Sequence, residues 1–228
     1  MTKTRETDET GLVLSERAHR RIKRDIMNGS LLPGEKLRLD AISAHYRIGQ
    51  VPVREALNQL SAEGWVDRRG QKGFFVSELS ISDLEELVTA RIWIETKALS
   101  ESIANATPEW EDGLILAYHR LARTQRLMKD ADADSLKVEW EVRHHEFHLQ
   151  LVSQCGSSWM VQFCVIMMDQ SVRYRNLSIN ATLERRDDAL EEHQEILNAA
   201  LDHNSDLACA LLTAHYRKTL QDLKDMFS

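Results

Sequence analysis

The stretch from Gly49 to Ser77, GQVPVREALNQLSAEGWVDRRGQKGFFVS, restricts the possible folds of this chain more than any other segment. Pro52 suits the first turn of a helix, where its missing N–H would have no intrahelical partner. Apolar residues then recur at helical spacing and form one stripe that can pack on a small domain: Val53, Ala56, Leu57 and Leu60. The pattern predicts a helix over residues 50–62 with an exposed opposite face.

That opposite face carries side chains that can recognise DNA bases. Arg54 and Asn58 are four residues apart, so they share one side of the helix. Their side-chain types form bidentate hydrogen bonds with guanine and adenine edges in a major groove. Gln50 and Val51, at the N-terminal tip, would reach deepest. Taken singly, each charge is more typical of a solvated protein surface, because exposure is the default for arginine and lysine.

A hairpin follows this helix directly. Gly64 ends the helix, and residues 65–69 and 74–77 read as two short strands around a turn at residues 70–73. This pattern predicts a wing whose basic residues lie against DNA phosphates. Such contacts give affinity for DNA that does not depend on the base sequence. Those basic residues are Arg68, Arg69 and Lys72, and the turn residue Gln71 is assigned to the same DNA interface.

These segments resemble the DNA-binding signature of the GntR family of bacterial winged-helix transcription regulators. PVREALNQLSAEGWV precedes a glycine-containing wing, RRGQKGFFV, and the PGEKL turn of that family stands at residues 33–37. Family members place a Ser-Arg-Thr type triplet before the proline, where this chain has Gly49, Gln50 and Val51. The resemblance implies double-stranded DNA as partner, and the changed triplet leaves the operator sequence open. One winged helix reads too few base pairs, so a homodimer on an inverted repeat is expected.

The charge of the 228-residue chain is divided unevenly. Residues 1–77 contain 14 Lys and Arg against 10 Asp and Glu, whereas residues 78–228 contain 15 against 26. A net acidic chain can still bind DNA when its basic groups are gathered in one domain. The predicted organisation is a disordered tail over 1–11, a winged-helix DNA-binding domain over 12–77, a linker over 78–82 and a helical domain over 83–228.

Helical periodicity continues from Leu84 almost to the end of the chain. Ser82 and Glu85 have the spacing of a capping box that begins this region. Six segments show the helical pattern: 82–105, 108–130, 134–154, 157–178, 182–202 and 205–226. The predicted fold class is therefore mainly α. A winged helix-turn-helix of three helices and a β-hairpin wing is followed by an all-α antiparallel helical bundle.

Histidines dominate the chemistry of the predicted bundle. His144 and His148, in RHHEFH, are four residues apart on one helix, a spacing by which two imidazoles can bind one metal ion. His193 and His215 lie on the last two helical segments and can join them only if those helices pack antiparallel. For any one histidine alone, a surface or hydrogen-bonded core role is the more common outcome.

The order of these histidines resembles the FCD ligand-binding domain of the FadR subgroup of GntR regulators. Many such domains complete a metal site with an aspartate four residues before the F-H histidine, and His144 occupies that position here. The resemblance implies that His148, His193 and His215 are metal ligands, with His144 as a substitute for the aspartate. Neutral imidazoles suit zinc, with nickel as a second possibility.

The same resemblance implies a small organic acid as effector, whose binding releases a repressor from DNA. Arg91, in ARIWIE, resembles the family arginine that faces the metal pocket and would hold a carboxylate. Arg173 and Arg175 are second candidates, although pairing with glutamates is the simpler role for both. RIKRDIMNGSLLPGEKLRL and EWEVRHHEFHLQLVSQCGSS further resemble the carbon-starvation-induced regulator branch, which is tied to 4-aminobutyrate and related dicarboxylate catabolism.

Two other classes of function fit parts of the chain. HHEFH is superficially similar to the HExxH motif of metal-dependent hydrolases, but Glu146 is the third residue and turns away from the metal-facing pair. A helical adaptor would explain the bundle but not the wing or the exposed Arg54. A regulator that is not an enzyme is therefore expected.

The sequence also predicts a cytoplasmic location without a membrane partner. The N-terminal region has no apolar segment of signal-peptide type, and the longest apolar run, residues 163–168, is too short to cross a bilayer. The three cysteines form no CxxC pair, which argues against a disulfide framework.

Overall fold

The computed structural model describes residues 13–124, 133–179 and 188–227. The chain divides into two compact units, of which the first ends at Leu79 and the second begins at Ser80. The tail predicted over residues 1–11 lies outside the described residues.

The first unit combines three helices with a small antiparallel sheet. Its elements are α1 Leu14–Met27, β1 Lys36–Leu37, α2 Leu39–Tyr46, α3 Gln50–Ala62, β2 Val66–Arg68 and β3 Phe74–Val76. A short 3-10 turn, Gly70–Lys72, joins β2 to β3 and forms the tip of the wing. The winged helix-turn-helix predicted from the sequence is confirmed.

The apolar face of α3 is the centre of the core in this unit. The predicted stripe is fully buried: Val53, Ala56, Leu57 and Leu60 each have no exposed surface. After α3, Gly64 adopts a left-handed φ of 78°, which a residue with a side chain rarely takes. This turn allows the Trp65 N–H to donate to the Leu60 carbonyl at 2.9 Å and brings the chain back into β2.

The sheet has one strand more than the sequence predicted. The strand order is β1-β3-β2, and Lys36 of β1 lies opposite Phe75 of β3. The PGEKL segment was interpreted only as a turn, because two residues show no alternating pattern of their own. The strand exists because β3 supplies its hydrogen-bonding partner from far along the chain.

The second unit consists of helices throughout its described part. They are α4 Ile81–Ala104, α5 Pro108–Arg123, α6 Ala133–Val152, α7 Ser158–Ile179, α8 Ala189–Leu201 and α9 Ser205–Phe227. α4 packs along α9 and α7, α5 along α6, and α8 along α9. The predicted mainly α fold is confirmed. Among the described helices, none is long and apolar enough to cross a membrane.

The N-terminal cap of α4 differs from the prediction. The Ser80 hydroxyl oxygen accepts a hydrogen bond from the Asp83 N–H at 3.1 Å, and the helix begins at Ile81. The predicted capping box at Ser82 and Glu85 is therefore wrong by two residues. Both serines precede an acidic residue by three positions, so local spacing does not distinguish them.

The end of α5 also differs from its prediction, which extended to residue 130. The helix ends at Arg123, and Thr124 has an extended ψ of 115°. The Thr124 hydroxyl donates to the Arg120 carbonyl at 2.9 Å, which satisfies one of the free carbonyls at the helix end. The predicted start of the next-to-last helix, at residue 182, lies outside the described residues.

Candidate functional site

The first unit presents an open groove between α3 and the wing. Five of the predicted DNA-binding side chains line it: Gln50, Arg54, Asn58, Arg68 and Gln71. All five are exposed. Within the described part of the chain, the side chains of Arg54 and Asn58 have no hydrogen-bonding or ionic partner, so both are available to a ligand in the groove.

The other three predicted DNA-binding residues lie outside the groove lining. Val51 is 67% exposed at the tip of α3, and Lys72 is exposed on the wing. Arg69 is held within the domain, because its guanidinium donates to the Glu78 carboxylate at 2.9 Å and lies 4.7 Å from the centre of the Phe75 ring. Arg69 therefore supports the wing as well as contributing charge.

The structure adds basic residues that the sequence analysis missed. Lys36 and Arg38 line the groove because the β1–β3 pairing places them beside α3. Arg38 forms an exposed ion pair with Asp40 at 3.3 Å, and its hydrogen bond lowers the pKa of the Asp40 carboxyl. The groove thus combines positive charge with one carboxylate. The two basic residues in GEKLRLD, residues 34–40, were the sequence feature that could have indicated this contribution to the groove.

The second unit buries four histidines against one another. His144 and His148 come from α6, His193 from α8 and His215 from α9, and none is more than 5% exposed. The His148 Nε2 lies 3.2 Å from the Nε2 of both His144 and His193. One ring nitrogen from each of the four lies within 4.8 Å of the others. All four histidines that were predicted to be metal ligands therefore meet in one place.

Hydrogen bonds at the opposite ring nitrogen orient three of these imidazoles. The Nδ1 contacts run from His193 to the Ala189 carbonyl (2.5 Å), from His215 to the Glu192 carboxylate (2.6 Å) and from His148 to the Tyr216 hydroxyl (3.1 Å). A carbonyl or carboxylate only accepts, so these contacts place the proton of His193 and His215 on Nδ1. The Nε2 lone pairs then point into the cluster, as metal-ligating histidines require.

The donor set fits a metal ion. Burial, together with the neighbouring histidines and arginines, lowers the pKa of His144 and of His148 well below the ordinary value, which favours the neutral imidazoles that bind metal ions. The Nε2 atoms of His144 and His148 lie 3.2 Å apart, so one cation can contact both. Tetrahedral coordination with metal–nitrogen bonds of about 2.0–2.1 Å places neighbouring nitrogens about 3.3 Å apart. The two separations of 3.2 Å from His148 are close to this value, and all four ligand atoms lie within 4.8 Å of one another.

Arg91 faces the same interior but is already paired. Its Nε donates to Glu95 Oε1 at 2.6 Å, its Nη1 donates to the Ser171 hydroxyl at 3.2 Å, and its guanidinium lies over the Tyr216 ring at 4.1 Å. Burial alone would favour the neutral form and lower the pKa of Arg91, but the Glu95 carboxylate holds that pKa above its ordinary value.

The cavity beside Arg91 is small. Arg91, His144, His193 and His215 contribute to its lining, and its volume is about 20 Å³. That volume holds about one water molecule or one ion. An organic acid could therefore enter only if surrounding side chains moved.

The second-choice arginines have different surroundings. Arg175 lines the cavity and is paired with Glu141 through two hydrogen bonds of 2.7 and 3.2 Å. Arg173 does not line it and donates to the Gln170 side-chain oxygen at 3.2 Å. Both arginines are thus held by acceptors on the protein itself.

The position of Glu146 removes the basis of the hydrolase alternative. This carboxylate accepts from the Arg143 guanidinium at 2.9 Å and is partly exposed on a different side of α6 from the histidines. A general base must lie within hydrogen-bonding reach of a metal-bound water. The geometry does not provide one at Glu146.

Both units match known protein families. Residues 14–76 match the bacterial regulatory proteins of the gntR family, and residues 86–218 match the FCD domain. The chain is similar to BphR of Paraburkholderia xenovorans, named an uncharacterized HTH-type transcriptional regulator, with 33% identity over 91% of this chain and 84% of the relative. It is also 33% identical to the HTH-type transcriptional repressor GlaR of Escherichia coli, over 86% of this chain and 90% of that protein.

Solved structures agree with the fold. The structure of Escherichia coli McbR/YncC covers 95% of this chain and matches over 100% of its own length, with a TM-score of 0.79 and 17% identity. These relatives are transcription regulators and not enzymes, and the hydrolase alternative has no support among them.

Proposed function

Because the chain belongs to the GntR family of bacterial regulatory proteins and carries an FCD domain, we propose that it is a metal-containing repressor released from its operator by a small organic acid. It is a DNA-binding transcription regulator and not an enzyme. The name of the similar repressor from Escherichia coli supports repression. Its place of action would be the cytoplasm, where the operator DNA is.

The proposed DNA contacts divide into two kinds. Arg54 and Asn58 have free side chains in the groove and would hydrogen-bond to base edges, with Gln50 and Val51 at the tip of α3 reaching deepest. The wing residues would position the domain on phosphates. They are Arg69, Gln71 and Lys72.

The observation that carries the regulatory part of the proposal is the burial of four histidines with one ring nitrogen of each within 4.8 Å of the others. We propose that His144, His148, His193 and His215 hold one divalent metal ion. Four imidazole donors favour zinc, with nickel as the second choice. Such an ion supplies a positive charge, and expansion of its coordination beyond the four imidazoles would let it bind a carboxylate oxygen.

The proposed effector is a small organic acid held by the metal and Arg91. The pairing of Arg91 with Glu95 and the volume of about 20 Å³ mean that an acid must displace part of the lining. Binding energy would thereby be linked to a rearrangement of the helices, which is the requirement for a ligand to shift a conformational equilibrium. The rearranged form would fit the operator less well.

A homodimer is the proposed binding form, and an apolar stripe on α7 supports it. Trp159, Phe163 and Ile166 follow helical spacing and are 69%, 50% and 54% exposed. Contiguous exposed apolar surface of this kind commonly marks an association site. A second copy of the chain would cover this apolar stripe and would place a second winged helix on the other half of an inverted-repeat operator.

Elemental analysis of protein purified without chelator or histidine tag tests the metal proposal. Wild-type protein should contain about one metal ion per chain, and His148→Ala should lose it. His203→Ala is the matched control, because His203 is half exposed and pairs with Glu111 at 3.0 Å. Absence of metal from the wild-type protein would refute this proposal and leave DNA binding unaffected.

The organic-acid proposal has its own test. Calorimetry of metal-loaded protein with a panel of small organic acids should find at least one that binds, and Arg91→Lys should weaken that binding. The lysine keeps the charge but lacks the planar fork that pairs with a carboxylate. Acids that bind Arg91→Lys as tightly as wild-type protein would exclude Arg91 as the anchor.

A further inference from the structure

A chain of buried hydrogen bonds runs from the histidine cluster to Arg91. His148 Nδ1 lies 3.1 Å from the Tyr216 hydroxyl, and the Tyr216 hydroxyl lies 2.5 Å from Glu95 Oε2. Glu95 in turn accepts from Arg91 Nε at 2.6 Å and from Arg91 Nη2 at 3.3 Å. Every member of this chain is at most 5% exposed, so water does not compete for these bonds.

The chemistry of Glu95 fixes the direction of every bond in the chain. A carboxylate paired with arginine can only accept, so Tyr216 donates its single hydroxyl proton to Glu95. The Tyr216 oxygen then accepts, and the donor must be the Nδ1–H of His148. The remaining nitrogen of His148, Nε2, is left with its lone pair directed at His144 and His193.

The orientation of the His148 ring depends on a series of hydrogen bonds, whereas each of two neighbouring histidines is oriented by a single acceptor. His193 and His215 are oriented directly by a carbonyl and a carboxylate. His148 lies at 3.2 Å from two other Nε2 atoms, so its orientation decides whether three of the ligands converge. Its only described hydrogen-bond acceptor at Nδ1 is a hydroxyl, which orients a ring poorly unless the hydroxyl is itself fixed.

We propose that Tyr216 and Glu95 are positioning residues for the metal: they fix the tautomer and orientation of His148 and connect the ion to the arginine of the effector pocket. This inference rests on the proposed metal site. The negatively charged Glu95 carboxylate, which accepts the hydrogen bond from Tyr216, makes the His148 Nε2 a better ligand for a cation. An anion that draws Arg91 away from Glu95 would strengthen the bond between Glu95 and Tyr216, and so affect the ion.

Zinc affinity of the full-length protein, measured by competition with a chromophoric chelator, tests the role of Tyr216. Tyr216→Phe removes one oxygen atom and should weaken zinc binding by about 10- to 100-fold while keeping about one ion per chain. Tyr174→Phe is the matched control. Tyr174 is also a buried tyrosine whose hydroxyl donates to a carboxylate, that of Asp83, but it does not line the histidine cavity.

A double-mutant cycle tests the role of Glu95. Glu95→Gln keeps the shape but removes the charge, so it should weaken zinc binding in the wild-type background. In the Tyr216→Phe background the same change should have little further effect, because Glu95 acts through the missing hydroxyl. Equal losses in both backgrounds would show that Glu95 acts on the ion directly through space and would overturn the connection.

Nitrogen-15 NMR of the histidine rings in wild-type protein gives a readout that does not depend on a variant. In the zinc-loaded protein, His148 should carry its proton on Nδ1, and the signal of that proton should exchange slowly. A proton on Nε2 of His148 overturns the inference. Wild-type protein that binds no zinc refutes the metal proposal and this inference together, whereas equal zinc affinity in wild-type and Tyr216→Phe refutes this inference alone.

Discussion

Arg54 and Lys72 are both proposed to contact DNA, and their surroundings support different roles. Arg54 stands on the rigid helix α3, inside the groove, with a side chain that has no partner among the described residues. Its planar fork matches two acceptors on one base. Lys72 lies exposed at the tip of the wing and offers a single mobile charge. We therefore expect Arg54 to distinguish DNA sequences and Lys72 to attract phosphates of any sequence.

Arg54→Ala should weaken binding to the preferred operator by about 1 to 3 kcal/mol and leave binding to unrelated DNA almost unchanged. The loss follows from removing two hydrogen bonds to one base edge. Fluorescence anisotropy with an operator fragment selected from a random DNA pool, and with a scrambled fragment, measures both affinities.

Lys72→Ala is the contrasting variant. It should weaken binding to the operator and the scrambled fragment alike, and reduce the slope of log affinity against log salt by about one. The opposite result would be that Lys72→Ala loses discrimination between operator and scrambled DNA, whereas Arg54→Ala loses affinity for both equally. Lys72 would then be the residue that recognises bases and Arg54 the residue that contacts phosphates.

At the level of single elements, the sequence predicted what local periodicity encodes. The α3 stripe, the glycine turn after it and the helices of the second unit each depend on residues near one another in the chain. β1 and the cap at Ser80 were not predicted correctly. β1 forms only because it pairs with β3, which lies far along the chain. The cap was misplaced because two nearby serines have the same spacing to an acidic residue.

The histidine cluster was likewise predictable where it depends on local spacing and not where it depends on the packing of distant helices. The spacing of His144 and His148 predicted that they share a helix face, and the structure places them together. The approach of His193 and His215 depended on how α8 packs along α9, which the family resemblance implied and the residue pattern alone did not. The Tyr216–Glu95 bond joins α9 to α4, and no local pattern indicates such a pairing.

The exposed stripe on α7 leads to a prediction about assembly. Phe163→Ser should shift the monomer–dimer equilibrium towards monomer, because it removes an apolar ring from the centre of the stripe, between Trp159 and Ile166. Sedimentation velocity over a range of protein concentrations measures the shift. Ile115→Ser is the control, since Ile115 is 47% exposed on a different helix, α5. Loss of the dimer in the control but not in Phe163→Ser would place the interface elsewhere.

For the molecule as a whole, bound metal should appear as added stability. An ion that binds only the folded state at about 100 times its dissociation constant contributes about 2.7 kcal/mol. For a chain of this size the gain corresponds to about 5 to 10 °C in melting temperature. Thermal unfolding with zinc and with a chelator measures the difference. His148→Ala should abolish the shift and His203→Ala should keep it; an unchanged shift in His148→Ala would mean that the zinc binds elsewhere.

Effector and operator must also act on each other reciprocally. If an organic acid lowers operator affinity about tenfold, the operator lowers the affinity for that acid by the same factor, because both belong to one thermodynamic cycle. Calorimetric titration of the acid into metal-loaded protein, with and without saturating operator fragment, measures this factor, and anisotropy measures its counterpart. Arg91→Lys should weaken acid binding while keeping the operator affinity of the acid-free protein. An acid that binds equally well with and without operator would not be the ligand that releases the repressor, whatever its contacts with the metal.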